Sequence, residues 1–400
     1  MKISAVEAIP VRIPRERDKA VGSAGSPTRL EGGAGNYRWS SVFPVLYPVH
    51  FETALVRITL NTGLVGWGEA QAPLAPEVVC SIVDLLLKPV LLGEDFDGSL
   101  DRIEWLWQRM YATMRVRGQT GGFMLDAISG IDLALWDLAG KIQSKPVSAL
   151  IPGTMGRKRV RAYCSGLTGV TSEDRLCNAI ERQAEGFSTF KLFFDTGRAE
   201  FLDLLSMLGE RLSPRSHIAV DALWRLSPDD AVGFGSEIDQ RNALWLEAPL
   251  PPEDALAHAE LARSIRTPLA LGESYRTHYE LAPFFRMRAM GFVQPDIGRS
   301  GLTEGLKIAR IAAEQGIPVV PHISIAMGPQ IAAAIHLAAA LPGCELLEYN
   351  PSVFEVANRY LVEPLECRQG NYTVPDRPGL GCDVTYSTAF HQNTVRTYSI

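Results

Sequence analysis

Seven times between Lys191 and Glu348 a short apolar run ends on a single ionisable residue. The runs are STFK (Lys191), HIAVD (Asp221), LWLE (Glu247), LALGE (Glu273), GFVQPD (Asp296), PVVPH (His322) and ELLE (Glu348), at spacings of 30, 26, 26, 23, 26 and 26 residues. A strand, a helix and two short loops take about that many residues, so the repeat predicts consecutive βα units of a parallel barrel. RVRAYCS, ending at Ser165 and lying 26 residues before Lys191, extends the series back to an eighth strand. A polar residue closing each strand then faces one mouth, the end at which barrel chemistry is assembled.

Composition narrows the function. A mean hydropathy of +0.03 with 21% charged residues describes a water-soluble globular chain. The net charge of −6 argues against nucleic acid or an anionic membrane as partner and leaves a small molecule. Six scattered cysteines form no CxxC pair, so neither a zinc site nor a disulfide framework is expected. The N-terminus has no signal-peptide apolar core, which makes the cytoplasm the expected location. From Gln315 to Cys344 no residue is charged, yet Pro318, Pro321, Pro329 and Pro342 break the stretch. It reads as a buried strand followed by an Ala-rich helix rather than a membrane span.

Residues 1–125 read as an α+β cap, 126–351 as the barrel, and 352–400 as a segment that completes the cap. The cap holds ETALVRITL and LVGWGEA flanking Asn61-Thr62-Gly63, which is a hairpin signal, and helical patterns near 76–91 and 100–114. A long segment, 15–41, carries Arg29, Tyr37, Arg38 and Trp39, residue types suited to gripping an anionic, hydroxylated ligand. MLDAISGIDLALWDLAGK predicts an amphipathic helix ending at Gly140, with Asp126, Asp132 and Asp137 serving its surface or packing. Barrel helices are expected at 172–185, 199–212, 228–239, 252–264, 279–287, 302–314 and 329–340.

Asp221, Glu247 and Glu273 close three successive strands and so stand side by side. Three clustered carboxylates repel unless a cation neutralises them, and an all-oxygen set suits Mg²⁺, with Mn²⁺ also admissible. Asp296 and His322 close the next two strands, a pairing that fixes one imidazole tautomer and makes the other nitrogen a base. Lys191, on the second strand, is placed to hold a substrate carboxylate or a developing oxyanion. Phe193 shares its inward face, since residues i and i+2 of a strand point the same way. Glu348 completes the circle.

With GWGEA, SGIDLALWDLAGK, FKLFF, LEAPL, QPDIGRSGLTEG, PHIS, LLEYN and PGLG, the whole chain resembles the enolase superfamily, and most closely its mandelate racemase subgroup. The resemblance implies a capping domain over a modified (β/α)₇β barrel of TIM type, Mg²⁺ on Asp221, Glu247 and Glu273, and an Asp296–His322 acid/base dyad. It also implies that Glu348 contacts the substrate, and that copies of the chain associate. Two-base relatives resemble one another in a Lys-x-Lys on the second strand, where this chain reads Lys191-Leu192-Phe193. A one-base reaction is therefore expected: dehydration of an acid sugar to a 2-keto-3-deoxy acid. Racemisation with a second acid from the cap, or metal binding without turnover, are the alternatives.

Overall fold

The computed structural model describes residues 1–15, 30–31, 35–42 and 45–385. Strands β1 (Ile3–Pro14), β5 (His50–Leu60) and β6 (Val65–Ala70) form an antiparallel sheet in that order, turning at Gly63 with φ 85°. Between β1 and β5, β2 (Leu30–Glu31), β3 (Tyr37–Ser40) and β4 (Leu46–Pro48) make a second small antiparallel sheet. Helix α1 (Pro76–Ile82), a π turn at Val83–Leu87, α2 (Lys88–Leu91) and α3 (Leu100–Arg115) follow.

Helix α4 (Gly122–Ile142) lies directly on β6, and the glycines of GWGEA explain how. A Cβ at Gly66 or Gly68 would meet the carbonyl oxygen of Ala134 or Gly130 at 2.5 or 2.0 Å. Only glycine admits the helix at that distance. Of the two roles expected for the three acids of α4, surface or packing, the structure shows packing: all three are buried connectors. Asp132 accepts from Thr303 N (3.0 Å), Asp137 from Trp67 N (2.9 Å) and Leu380 N (2.8 Å), and Asp126 holds the Arg276 guanidinium (3.0 and 3.2 Å). A buried carboxylate needs such partners, and here they tie α4 to β6, the barrel and the tail.

After α5 (Val147–Leu150) the chain alternates strand and helix: β7 (Arg159–Ser165), α6 (Ser172–Ala184), β8 (Thr189–Phe193), α7 (Arg198–Arg211), β9 (His217–Asp221), α8 (Pro228–Asp239) and β10 (Leu246–Glu247). It continues through α9 (Ala255–Ser264), β11 (Leu269–Leu271), α10 (His278–Met287), β12 (Phe292–Val293), α11 (Ile297–Glu314), the extended segment 319–322, α12 (Pro329–Ala340) and β13 (Leu346–Tyr349). These strands are parallel neighbours in the order β13-β7-β8-β9-β10-β11-β12, and bridges Val293–Val319 and Asp296–His322 add the eighth. Between that segment and β13 the ladder is open apart from Val319 N donating to Gly343 O (3.1 Å). Tyr163, Ala219, Ala270 and Val320, from alternate strands, pack with Trp245 as a floor beneath the mouth.

Two helix starts differ from expectation. Helix α9 begins at Ala255 because Asp254 caps it, accepting from Ala257 N. Helix α11 begins at Ile297, not Leu302, because the Asp296 side chain accepts from Gly298 N and Arg299 N. Gly301 (φ 68°) then kinks it where a Cβ would lie 2.4 Å from Asp132 Oδ2. After α13 (Pro351–Asn358), β14 (Cys367–Arg368) and β15 (Asn371–Thr373) form a hairpin, and β15 pairs antiparallel with β7. The tail thus lies first along the barrel and reaches α4 at Leu380. No cysteine is paired, and among the described residues no helix is long and apolar enough to cross a membrane.

His336, fully buried on α12, pins the tail. Its Nδ1 accepts from Ser148 N (3.3 Å) and its Nε2–H donates to Leu380 O (3.1 Å), an arrangement only the neutral ring satisfies. Burial lowers its pKa from 6.5 to about 4. The unfolded chain therefore binds the proton more readily, and stability falls as pH drops from 6.5 towards 4. Between pH 7 and 5 this one group should remove about 2 kcal/mol, measurable as the difference in urea unfolding between wild type and His336→Gln. An equal loss in both proteins would refute the assignment.

Candidate active site

Lys191, 1% exposed, sits at the centre of the mouth. The β8–β9 register sets Phe193 beside Asp221, and β9–β10 sets Asp221 beside Glu247, so the three strand ends converge. Lys191 Nζ lies 2.6 Å from Glu247 Oε1, 2.9 Å from Glu348 Oε1 and 3.3 Å from Asp221 Oδ2. Burial disfavours the ammonium, but Glu247 and Glu348 hold it well above its ordinary pKa. Burial alone would raise Glu348, yet Lys191 and His322 bring it down to about 2.

The other half of the site is built on His322. Its Nδ1 bonds Asp296 Oδ2 (2.8 Å), its Nε2 bonds Glu273 Oε2 (2.9 Å), and Glu348 Oε2 is 3.9 Å away. Burial opposes protonation, but Glu348 and Glu273 raise the imidazole well above its usual pKa, and Glu273 is held low in return by that cation. Asp221 is pushed well up, by burial and then by Glu247; Glu247 is also raised by burial. The cluster carries more negative charge than its two cations balance.

The carboxylates differ in what they have left to offer. Glu247 Oε2 accepts from Trp245 Nε1 (2.9 Å) and Gln294 Nε2 (2.8 Å) while Oε1 takes Lys191, so its orientation is fixed from three directions. Glu273 Oε1 is buried with no hydrogen-bond partner. A buried carboxylate oxygen without a donor, in an arc of three acids, is what a hard divalent cation satisfies, so these residues fit one. Among the described residues, one possible ligand atom from each of Glu247, Glu273 and His322 lies within 4.8 Å of the other two. Asp221 is turned towards Lys191 and also accepts from Leu223 N (3.0 Å).

Above these groups is a cavity of about 850 Å³ into which Lys191, Phe193, Asp221, Glu273, His322 and Glu348 open. Among the described residues the cap lines it with Arg15, Val45–Pro48, Phe51, Pro73 and Leu74, and not with Tyr37, Arg38 or Trp39, which were expected there. Tyr37 is spent inside the cap, donating to Glu52 Oε2 (3.1 Å) and accepting from Ala75 N (2.8 Å). Arg38 donates to the carbonyls of Gly35 (2.9 Å) and Tyr37 (2.8 Å), and Trp39 is 51% exposed. Arg29 lies outside the described residues. Tyr47, whose phenol is pushed up by burial and by the charge of Asp221, takes the place foreseen for Tyr37.

Behind His322 runs a support that periodicity does not reveal. Gln330 Nε2 donates to Asp296 Oδ1 (3.0 Å), and Gln330 N donates to Glu69 Oε2 (3.1 Å). Glu69, fully buried on β6, also accepts from Met327 N (2.6 Å) and Thr53 Oγ1 (2.9 Å), and burial raises it to about 7. The only sequence signals for these roles were the polar letters inside GWGEA and at the start of the Ala-rich helix.

Residues 175–388 match the enolase C-terminal domain-like family, and residues 49–152 match the mandelate racemase / muconate lactonizing enzyme N-terminal domain. The chain belongs to the enolase superfamily. It is 32% identical over 343 residues to a D-galactarolactone cycloisomerase of Agrobacterium fabrum, covering 82% of this chain and 88% of that one. It is 31% identical over 338 residues to an arabinonate dehydratase of Saccharolobus solfataricus, covering 82% and 87%. A racemase from Streptomyces coelicolor A3(2), solved with bound magnesium, superposes with a TM-score of 0.82 at 26% identity, covering 98% of this chain and 100% of that one. The cap-and-barrel architecture and the mandelate racemase subgroup are those of this enolase superfamily member.

Proposed function

We propose that this enolase superfamily member is a lyase that removes the α-proton of a hydroxylated carboxylate and eliminates the β-oxygen, turning an acid sugar into a 2-keto-3-deoxy acid. The observation that carries the reading is His322, held between Asp296 at Nδ1 and the carboxylate arc at Nε2, with one face open to the cavity. The relatives named dehydratase and cycloisomerase support it.

Magnesium, when bound by Asp221, Glu247 and Glu273, would supply positive charge against the ene-diolate. The protein's own groups do the rest. Asp296, itself held by Gln330 and by Gly298 N, fixes the Nδ1–H tautomer and leaves Nε2 as the base. Nε2 is a base only after the proton it shares with Glu273 has passed to solvent as substrate enters; abstraction then makes the imidazolium, which returns its proton to the departing β-hydroxyl. Lys191 holds a carboxylate oxygen as charge builds on it. Phe193 offers no proton on the other side, which supports a single base.

Proton NMR in D₂O with Mg²⁺ and a panel of aldonic and aldaric acids tests this. The expected result is loss of the α-proton signal together with growth of keto-acid signals for one member. Exchange of the α-proton with inversion and no keto acid would replace the lyase by a racemase.

A further inference from the structure

The two faces of the cavity differ in proton chemistry. In the ring of eight strands the end of β9 is third and the 319–322 segment seventh, so they stand across the mouth from each other. His322 serves one face. On the other, among the described residues, the barrel wall is Phe193, Leu223 and Trp224, and an indole N–H donates a hydrogen bond without giving up its proton. Lys191 is locked to three carboxylates.

The cap brings a proton donor to this face. Tyr47 stands on β4, paired with Arg38 of β3, and its ring packs against Leu223, as Phe193 and Val45 do. Its phenol senses the charges of Asp221 and Glu273, which close barrel strands, and of Arg15, so the hydroxyl is turned into the mouth. Leu223 and Trp224 are consecutive left-handed residues (φ 55° and 53°), a conformation costing about 1–3 kcal/mol each outside glycine. Leu223 N on Asp221 Oδ1 (3.0 Å) and Trp224 N on Ala248 O (2.7 Å) keep them there. What this strained pair secures is the seat of the Tyr47 ring.

The elimination leaves work for an acid on that side. Once the β-hydroxyl has departed the product is an enol, and it becomes a 2-keto acid only when its β-carbon gains a proton. His322 has by then given its proton to the departing hydroxyl. We propose, resting on the lyase reading above, that Tyr47 is a catalytic acid that protonates the β-carbon of the enol from the face opposite His322.

In that step the Tyr47 O–H bond breaks, and the electron pair of the enol double bond forms the new C–H bond at the β-carbon. The enol O–H proton passes to His322 Nε2, neutral again, and its bonding pair closes the ketone. Phenolate and imidazolium return to phenol and imidazole by exchange with water. Burial and the charge of Asp221 keep the phenol protonated until it is needed, and Arg15 favours the phenolate that the step leaves.

Because the hydroxyl departs on the His322 side, a proton from Tyr47 arrives opposite to it, with inversion at the β-carbon. Turnover in D₂O of the panel acid that yields a keto acid records this as one configuration of a CHD group, read by NMR at early times. The expected result is inversion with at least about a tenfold excess in wild type, falling to about one to one in Tyr47→Phe as the enol is released and takes its proton in solution. Retention in wild type would mean that the His322 side supplies both protons, which overturns the inference and leaves the lyase reading intact. A one-to-one mixture in wild type, or inversion unchanged in a folded Tyr47→Phe protein, also overturns it. If no acid of the panel yields a keto acid, the lyase reading fails and this inference with it. Tyr47→Phe removes one oxygen and keeps the ring on Leu223; should it not fold, the wild-type configuration decides alone.

Discussion

His322→Asn should lower turnover and α-proton exchange together by roughly 10²–10⁴-fold while Mg²⁺ binding, followed by calorimetry, survives. Asparagine can still donate to Asp296 from a position close to that of Nδ1, so the buried carboxylate keeps a partner. What is lost is Nε2, the nitrogen that faces Glu273 at 2.9 Å and the cavity beyond. Asp296 and Gln330 stay in place, so a loss of activity would belong to proton transfer and not to collapse of the site. A fully active variant would remove His322 from the chemistry. A variant that no longer binds Mg²⁺ would make the imidazole a ligand, in line with its closeness to Glu247 and Glu273.

The second large effect concerns stability. Lys191→Met without added metal should cost about 3–5 kcal/mol, because it leaves Asp221, Glu247 and Glu348 buried without the ammonium that all three touch. Methionine fills similar volume, so little of the loss would come from packing. Millimolar Mg²⁺ should restore a large part of it, since a ligand that binds only the folded state stabilises in proportion to ln(1 + [L]/Kd). Urea unfolding of both proteins in EDTA and in Mg²⁺ measures each term. Equal midpoints in EDTA would mean that the carboxylates had taken up protons in place of the lost cation.

The parts of the site legible from sequence were those that repeat. Each of Lys191, Asp221, Glu247, Glu273, Asp296, His322 and Glu348 ends an apolar run, and a parallel barrel converts that one-dimensional regularity into a ring. The structure brings all seven to one mouth. The illegible parts do not follow the period. Trp245 and Gln294 grip Glu247 from positions that read equally well as core. Gln330 reaches Asp296 across 34 residues, from a helix whose letters announce only burial. The cap misled for a related reason. Tyr37, Arg38 and Trp39 have suitable chemistry, but which side of a four-residue strand faces the barrel depends on register, and nothing in a short polar loop fixes register. The acids of α4 were undervalued because an Asp on an amphipathic helix is usually at the surface, and their partners lie far away in sequence.

Glu69 ties a strand of the cap sheet to the first turn of α12, and through Gln330 to the carboxylate that orients His322. A sheet bolted to the barrel in this way is not a lid that swings as a rigid body. To lift it would strip a buried carboxylate of its donors and release the His322 imidazole from its alignment in the same movement. The cap sheet and the alignment of the His322 ring are therefore one mechanical unit, held by the same buried side chains.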